Sequence, residues 1–374
     1  MHVAQINFHP APSGVAAAEV FRQWPSLRDI PEAAASAGIR VSVIQAAAHA
    51  ERVMRNGVDY RFVDTRGADT VAHRARDFAG LLDDLRVDVL HVHGLGFAED
   101  AYAISRHLPR LPMLFQDHAD RPPRWWRRSR WRQWYAAVSG VAFTSTELAR
   151  AFTAAKLFQP RTRLFAIPES SSRFMPGDHA QARAETGLYG RLCVLWVGHL
   201  NAGKDPLTVL DGVAKAAEQL PDLHLWCAFG NAPLLAEVQQ RIARDPRLTG
   251  RVHLLGKLPH AQIQRLMQAA DVFVSGSCSE SCGYALLEAM ACGVTPIVTD
   301  IPSFRTLTGM GRVGELWPCG DAARLAEALL RAARHTSPAK VRAHFDEALS
   351  FEAVGRQWAK AYAQVHDSHA GGAR

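Results

Sequence analysis

The chain has no cysteine in its first half; the six present are Cys193, Cys227, Cys278, Cys282, Cys292 and Cys319. Only Cys278 and Cys282 lie close together, with no second Cys or His pair beside them. A structural zinc site needs four ligands at recognisable spacing, so no metal is expected. The thiols read instead as small apolar packing residues in a reducing compartment. Apolar runs approaching the roughly 18 residues of a membrane-spanning helix are also missing. The opening "MHVAQINFHPAPSG" lacks the basic-then-apolar pattern of a secretory signal and reads as a buried strand. The expected location is the cytoplasm.

Acidic residues are absent from one stretch, "RPPRWWRRSRWRQWY" at 121–135, which holds six arginines and four tryptophans. Those arginines supply all but one of the chain's net charge of +7. A protein that wraps nucleic acid spreads its basic footprint over several elements, so no nucleic-acid partner is expected. What is present is the composition of a folded protein, 48% hydrophobic and 21% charged. At 374 residues it exceeds one ordinary core and implies two domains or one large α/β unit.

Apolar runs alternate with helical patterns, which implies βα units and parallel sheets. In the first half, strands are expected at 3–8, 39–44, 87–93, 112–118 and 140–145, with a helix after Gly14 that breaks or kinks at Pro25 and Pro31. In the second half, "LCVLWVG" (192–198) ends in glycine and precedes a helix at 205–220, with Asp205 as N-cap and Pro206 in its first turn. Further strands are expected at 223–230, 252–256, 272–276 and 295–300. Each half thus resembles a Rossmann-type domain, whose ligands bind at the carboxyl ends of the strands.

The main chemical constellation is "SESCGYALLEAMACG" (279–293). A helix starting near Tyr284 leaves Glu280 in the preceding loop and Glu288 about one turn in. Helical side chains lean toward the N-terminus, so both carboxylates reach the space before the helix end. That end offers backbone N–H groups and a positive dipole to a phosphate, and Gly283 allows a ligand close to the backbone. Carboxylates that accept hydrogen bonds from hydroxyls beside a phosphate site suit a nucleotide sugar. The structural alternative is that Glu280 favours the helix end electrostatically and Glu288 joins a surface ion pair. Lys204, in "HLNAGK" after the first strand of the same half, adds a cation at the ligand edge, and His199 heads that loop.

"VGHLNAGKDPLTVL" and "SCSESCGYALLEAMACGVTPIVTD" resemble the donor domain of family 4 glycosyltransferases, retaining enzymes of the GT-B fold. The resemblance implies an α/β protein with two Rossmann-like parallel-sheet domains facing across a cleft. Residues 1–170 would form the acceptor domain, 171–190 a linker and 191–350 the nucleotide-sugar donor domain. A helix at 351–366 would cross back to the first domain, and 367–374 would be a disordered tail. By the same resemblance, Glu288 holds the ribose, Glu280 the transferred sugar, and Lys204 the diphosphate. Backbone groups at Gly283, Tyr284 and Ala285 touch sugar or phosphate, Gly14 approaches the diphosphate, and His118 stands beside the sugar. His199 occupies a position that is commonly arginine in the family, and "IPESSSRF" replaces a usual asparagine-glycine pair. No cofactor or catalytic metal is implied.

The expected partners are a nucleotide-sugar donor and a glycan, lipid-linked or small-molecule acceptor. Two other activities fit parts of the pattern: a glycoside hydrolase using Glu280 and Glu288 as its acid/base pair, and a nucleotide-sugar epimerase on the same fold. A non-catalytic module binding through 121–135 is a third. Within that stretch Trp131, Trp134, Tyr135 and Val138 fall at helical spacing and read as core. Trp125, Trp126, Arg127 and Arg128 lie outside the stripe, and are expected to contact acceptor or the inner face of a membrane.

Overall fold

The computed structural model describes residues 1–68 and 70–371. They form two compact units, Met1–Ser170 together with the segment from Phe351 onward, and Ser171–Ser350. No helix among the described residues is long and apolar enough to cross a membrane.

The strands of the N-terminal unit are His2–Asn7 (β1), Arg40–Ala47 (β2), Glu51–Arg55 (β3), Val58–Asp64 (β4), Val89–His93 (β5), Met113–Gln116 (β6), Val138–Phe143 (β7) and Arg163–Ala166 (β8). They lie in the order β3-β4-β2-β1-β5-β6-β7-β8, parallel except for the antiparallel pair β3–β4. Residues of β1 alternate between two cores, Val3 on one face and Ala4 and Ile6 on the other. A sheet covered on both faces explains why its strands read as unbroken apolar runs. Each large apolar side chain so removed from water contributes about 1.5–3 kcal/mol.

The first helix ends at Gln23 and a second runs Ser26–Ser36, so the chain breaks at Pro25 as expected. Pro31 does not end a helix; it is buried inside the second one. The final helix, Phe351–Gly371, belongs to the N-terminal unit. Its Gly355 packs so closely on the Ser26–Ser36 helix that a Cβ would collide with the Ala33 carbonyl. The helix continues through 367–371, where a tail was expected; 372–374 lie outside the described residues.

The C-terminal unit has Leu192–Gly198 (β9), Leu223–Phe229 (β10), Val252–Gly256 (β11), Val272–Ser275 (β12), Thr295–Thr299 (β13) and Glu315–Trp317 (β14). The order is β11-β10-β9-β12-β13-β14, with every pairing parallel. Leu192, Val194 and Trp196 of β9 face one core, and Cys193 and Leu195 the other. Residues 171–190 are not a free linker. Asp178 caps a helix His179–Thr186, Gly187 closes it in the left-handed conformation, and Phe174, Ala182 and Leu188 are buried in the core. The cysteine expectation holds for buried Cys193, Cys227 and Cys282, whereas Cys278 and Cys319 are exposed and Cys292 is half-buried.

Candidate active site

Two loops at the carboxyl ends of β9 and β12 build the site. After β9, Asn201 accepts the Lys204 amide at 3.1 Å, closing a short turn Ala202–Lys204. Asp205 then takes a left-handed φ of 42° and its carboxylate accepts the Thr208 amide at 3.3 Å. This caps the helix Pro206–Ala217, which has proline in its first turn. Lys204 therefore stands on a loop fixed at both ends.

The second loop follows β12 and joins the first directly, as the Cys278 amide donates to the Gly203 carbonyl at 3.0 Å. Gly276 admits this approach, since a Cβ there would lie 3.0 Å from the Asp205 carbonyl oxygen. Gly283 ends the loop with φ 76° and begins the helix Tyr284–Ala291. A Cβ at Gly283 would lie 2.7 Å from the Phe304 ring. The sequence suggested that this glycine admits a ligand; it lines the cavity described below, and the structure adds a conformational and packing reason for it.

The zipped loops bring the sequence-predicted carboxylates to one place. Lys204 Nζ donates to Glu280 Oε1, and both side chains are largely shielded. Glu288 Oε1 lies 2.6 Å from His260 Nε2. Burial raises the Glu288 pKa above the ordinary carboxylate value, while the His260 hydrogen bond and charge pull it back. His199 Nδ1 accepts the Asn231 amide at 3.1 Å. A cavity of about 390 Å³ is lined by His199, Lys204, Glu280, Gly283, Tyr284, Ala285 and Glu288 together. That volume is at the small end of the roughly 300–1,000 Å³ typical of ligand pockets. His260, which holds Glu288, and Lys257, which lines the cavity, were missed from the sequence; "GKLPHAQI" carries no pattern tying it to a site thirty residues on.

Gly14 and His118 belong to the N-terminal unit and are not part of this lining. Gly14 is exposed, with φ 74°, and a Cβ added there would meet no atom within 4 Å. His118 follows β6, in a loop pinned by the Asp120 carboxylate, which accepts the Leu95 amide at 2.8 Å and the His118 amide at 3.2 Å. Both ring nitrogens are engaged, Nδ1 with Glu169 at 2.6 Å and Nε2 with His93 at 3.1 Å. Behind them, His93 Nε2 meets Gln5 at 3.0 Å, and Gln5 donates to the Tyr362 hydroxyl at 3.1 Å. Burial lowers the His118 pKa, but the Glu169 hydrogen bond and charge, together with the Asp120 and Asp117 carboxylates, raise the value overall. Burial and the neighbouring histidines hold His93 well below the ordinary value. Of the two rings, His118 therefore takes up a proton more readily than His93. Neither His93 nor Glu169 was singled out from the sequence.

In 121–135, Trp125–Arg127 form a 3-10 turn and Arg128–Trp134 a helix. Tyr135 is fully buried and Trp131 and Trp134 pack on the same core, as the spacing predicted; Val138, however, begins β7 rather than extending the helix. Trp125 and Trp126 are 74% and 55% exposed. The Arg124 guanidinium lies over the Trp126 ring at 5.3 Å.

Residues 191–335 match the family "Glycosyl transferases group 1". The chain is 28% identical over 233 residues to a D-inositol 3-phosphate glycosyltransferase of Nocardia farcinica, covering 56% of this chain and 50% of that protein. It is 29% identical over 226 residues to the GDP-mannose:cellobiosyl-diphosphopolyprenol alpha-mannosyltransferase of Xanthomonas campestris, covering 58% and 57%. The matches thus span about half the length of these relatives. Anabaena HepE, solved in complex with UDP and glucose, superposes with a TM-score of 0.66 at 18% identity, over 97% of this chain and all of that one (100%). Residues 191–335 are thus similar to the group 1 glycosyl transferases, and the chain has the GT-B fold, two parallel-sheet α/β units.

Proposed function

We propose that the protein is a retaining glycosyltransferase that moves a hexose-type sugar from a nucleoside diphosphate to an acceptor hydroxyl, in glycan, exopolysaccharide or glycolipid synthesis. The observation that carries this reading is the shared cavity of Lys204, Glu280 and Glu288 in front of the Tyr284–Ala291 helix. Glu288 binds the ribose diol and Glu280 the sugar hydroxyls. Lys204 and the backbone at Gly283, Tyr284 and Ala285 bind the diphosphate, countering charge as it develops on the leaving group. His199 adds a hydrogen bond without a fixed positive charge.

In the reaction, the bond from the anomeric carbon to the diphosphate oxygen breaks. A bond to the acceptor oxygen forms on the same face, and the acceptor proton leaves with the diphosphate. No protein nucleophile, metal or cofactor is assigned a part. The relatives' names, which mention inositol phosphate and a diphosphopolyprenol-linked glycan, support a phosphate-bearing or lipid-linked acceptor. The exposed Trp125 and Trp126 beside Arg127 and Arg128 suit contact with the anionic cytoplasmic face of a membrane, where such acceptors reside.

The test is incubation with UDP- and GDP-sugars and polyol, glycan or lipid-phosphate acceptors, with the product's anomeric configuration read by NMR. Acceptor-dependent release of nucleoside diphosphate with retention is expected. Hydrolysis of an oligosaccharide alone, or an altered sugar nucleotide without acceptor, would point to a hydrolase or an epimerase and overturn the reading.

A further inference from the structure

A second cavity of about 190 Å³ opens in the C-terminal unit, at the other end of the sheet from the donor loops. Strand β13 marks the separation: Thr295 begins it and lines this cavity, whereas Thr299 ends it, hydrogen-bonded to the Ser277 carbonyl of the donor loop. The lining includes Arg312, His335, Ser337 and Lys340, with Glu315 as its one acid. Glu315 is occupied by Arg331 at 2.8 Å, so its charge is met from outside. Arg312 is set by a tight turn in which Gly309, Met310 and Gly311 all have positive φ, and its Nε donates to the Gly309 carbonyl at 3.2 Å.

Two further features aim this basic pocket at an anion. Ser337 precedes the helix Pro338–Ala348 but makes no capping bond, its hydroxyl being paired with His335 Nε2 at 2.8 Å. The first turn of that helix, with Lys340 in it, therefore meets the cavity without a side-chain cap. Thr295 is only 6% exposed, and its hydroxyl has no hydrogen-bond partner. A buried hydroxyl without a partner is costly, and a ligand oxygen in the cavity it lines would relieve that cost.

We propose that this cavity binds a phosphate-class anion, either inorganic phosphate or the phosphoryl group of a small monoester, independently of the donor site. The volume, below the roughly 300 Å³ at which drug-sized ligand pockets begin, suits a ligand of that size. Titration with inorganic phosphate, followed by calorimetry and thermal shift, is expected to show saturable binding. Arg312→Ala and Lys340→Ala each weaken it about tenfold. Thr295→Val keeps the shape of a buried side chain and weakens binding several-fold, while Lys204→Ala leaves it within twofold. Tighter binding of glycerol 3-phosphate than of phosphate identifies a monoester as the ligand; equal or weaker binding identifies free phosphate. The absence of saturable binding by either probe overturns the proposal. So does binding lost in Lys204→Ala but kept in Lys340→Ala and Thr295→Val, which assigns the anion to the donor cavity.

Discussion

Lys204 Nζ donates a hydrogen bond to Glu280 Oε1 across two loops that are themselves joined by the Cys278–Gly203 backbone bond. The pair places a cation and a carboxylate seventy-six residues apart in sequence at the mouth of one helix. On the proposed function, a ligand would separate their tasks, the cation for phosphate and the carboxylate for hydroxyls.

Lys204→Ala removes the only side-chain cation among the three residues on which the proposed chemistry rests. Loss of a group that counters developing charge costs about 100- to 1,000-fold in turnover. Steady-state rates with a fixed sugar nucleotide check this; Lys204→Arg is expected to recover only part, because a planar guanidinium does not replace a compact ammonium. A rate within tenfold of wild type in Lys204→Ala removes the lysine from the mechanism.

Glu288 yields a prediction in which stability and activity move in opposite directions. Its pKa is raised in the folded state, burial being the larger cause and His260 opposing it. Such a group supports folding below its ordinary pKa, and that support is lost as pH rises through the raised value. Glu288→Gln should therefore melt at or above the wild-type temperature at pH 8, with the advantage shrinking toward pH 4. The same variant should bind the sugar nucleotide more weakly. Melting below wild type at pH 8 contradicts the assignment.

Asp117 follows the same sign in the N-terminal unit. Burial pushes its carboxyl up to about 6 from 3.8, so its contribution to stability is complete below 3.8 and lost as pH rises through about 6. Asp117→Asn, which can still accept the Asp120 amide, should raise the melting temperature at pH 8 and leave it unchanged at pH 4. Differential scanning at the two pH values decides it.

Gly283 and Gly14 share a left-handed backbone, with φ of 76° and 74°, but differ in space. Gly14→Ala should cost about 1 kcal/mol for conformation alone. Gly283→Ala meets the Phe304 ring as well and should cost roughly 1–3 kcal/mol more, as overpacking does. Denaturant unfolding of the two variants gives the comparison. Equal costs would mean that the Phe304 ring yields freely.

The sequence made the central strands legible because both faces of each sheet are buried, which leaves runs such as β9 apolar throughout. It concealed the edges. β3 and β4 mix charged and apolar residues since one side meets water, although Asn56-Gly57 between them is a two-residue hairpin signal, with φ of 47° and 78°. β8 is mostly exposed and β14 is three residues long, too short for a pattern. At the site, Glu280, Gly283 and Glu288 were readable because one loop and one helix carry them. His260, Lys257, His93 and Glu169 act only through folded proximity to distant segments, and the phosphate-class cavity draws on four segments between 295 and 341. The Trp125–Trp126 pair was read correctly as outside the packing stripe, because Trp131, Trp134 and Tyr135 fill the core side.

That exposed pair makes membrane contact testable without reference to catalysis. Trp125→Ser with Trp126→Ser should leave the melting temperature within about 1 °C, since neither ring is in the core. Binding to phosphatidylglycerol vesicles at low salt should fall about tenfold or more, and wild-type binding should weaken as salt rises. Unchanged vesicle binding removes the tryptophans from any membrane role.

The central claim is that the cavity of Lys204, Glu280 and Glu288 holds a nucleoside diphosphate, and calorimetric titration with UDP and GDP tests it most directly. One nucleotide should bind the wild-type chain saturably, at least tenfold more weakly after Lys204→Ala, and more weakly after Glu288→Gln. Binding of equal strength in all three proteins, or no binding of either nucleotide to the wild type, would contradict the account.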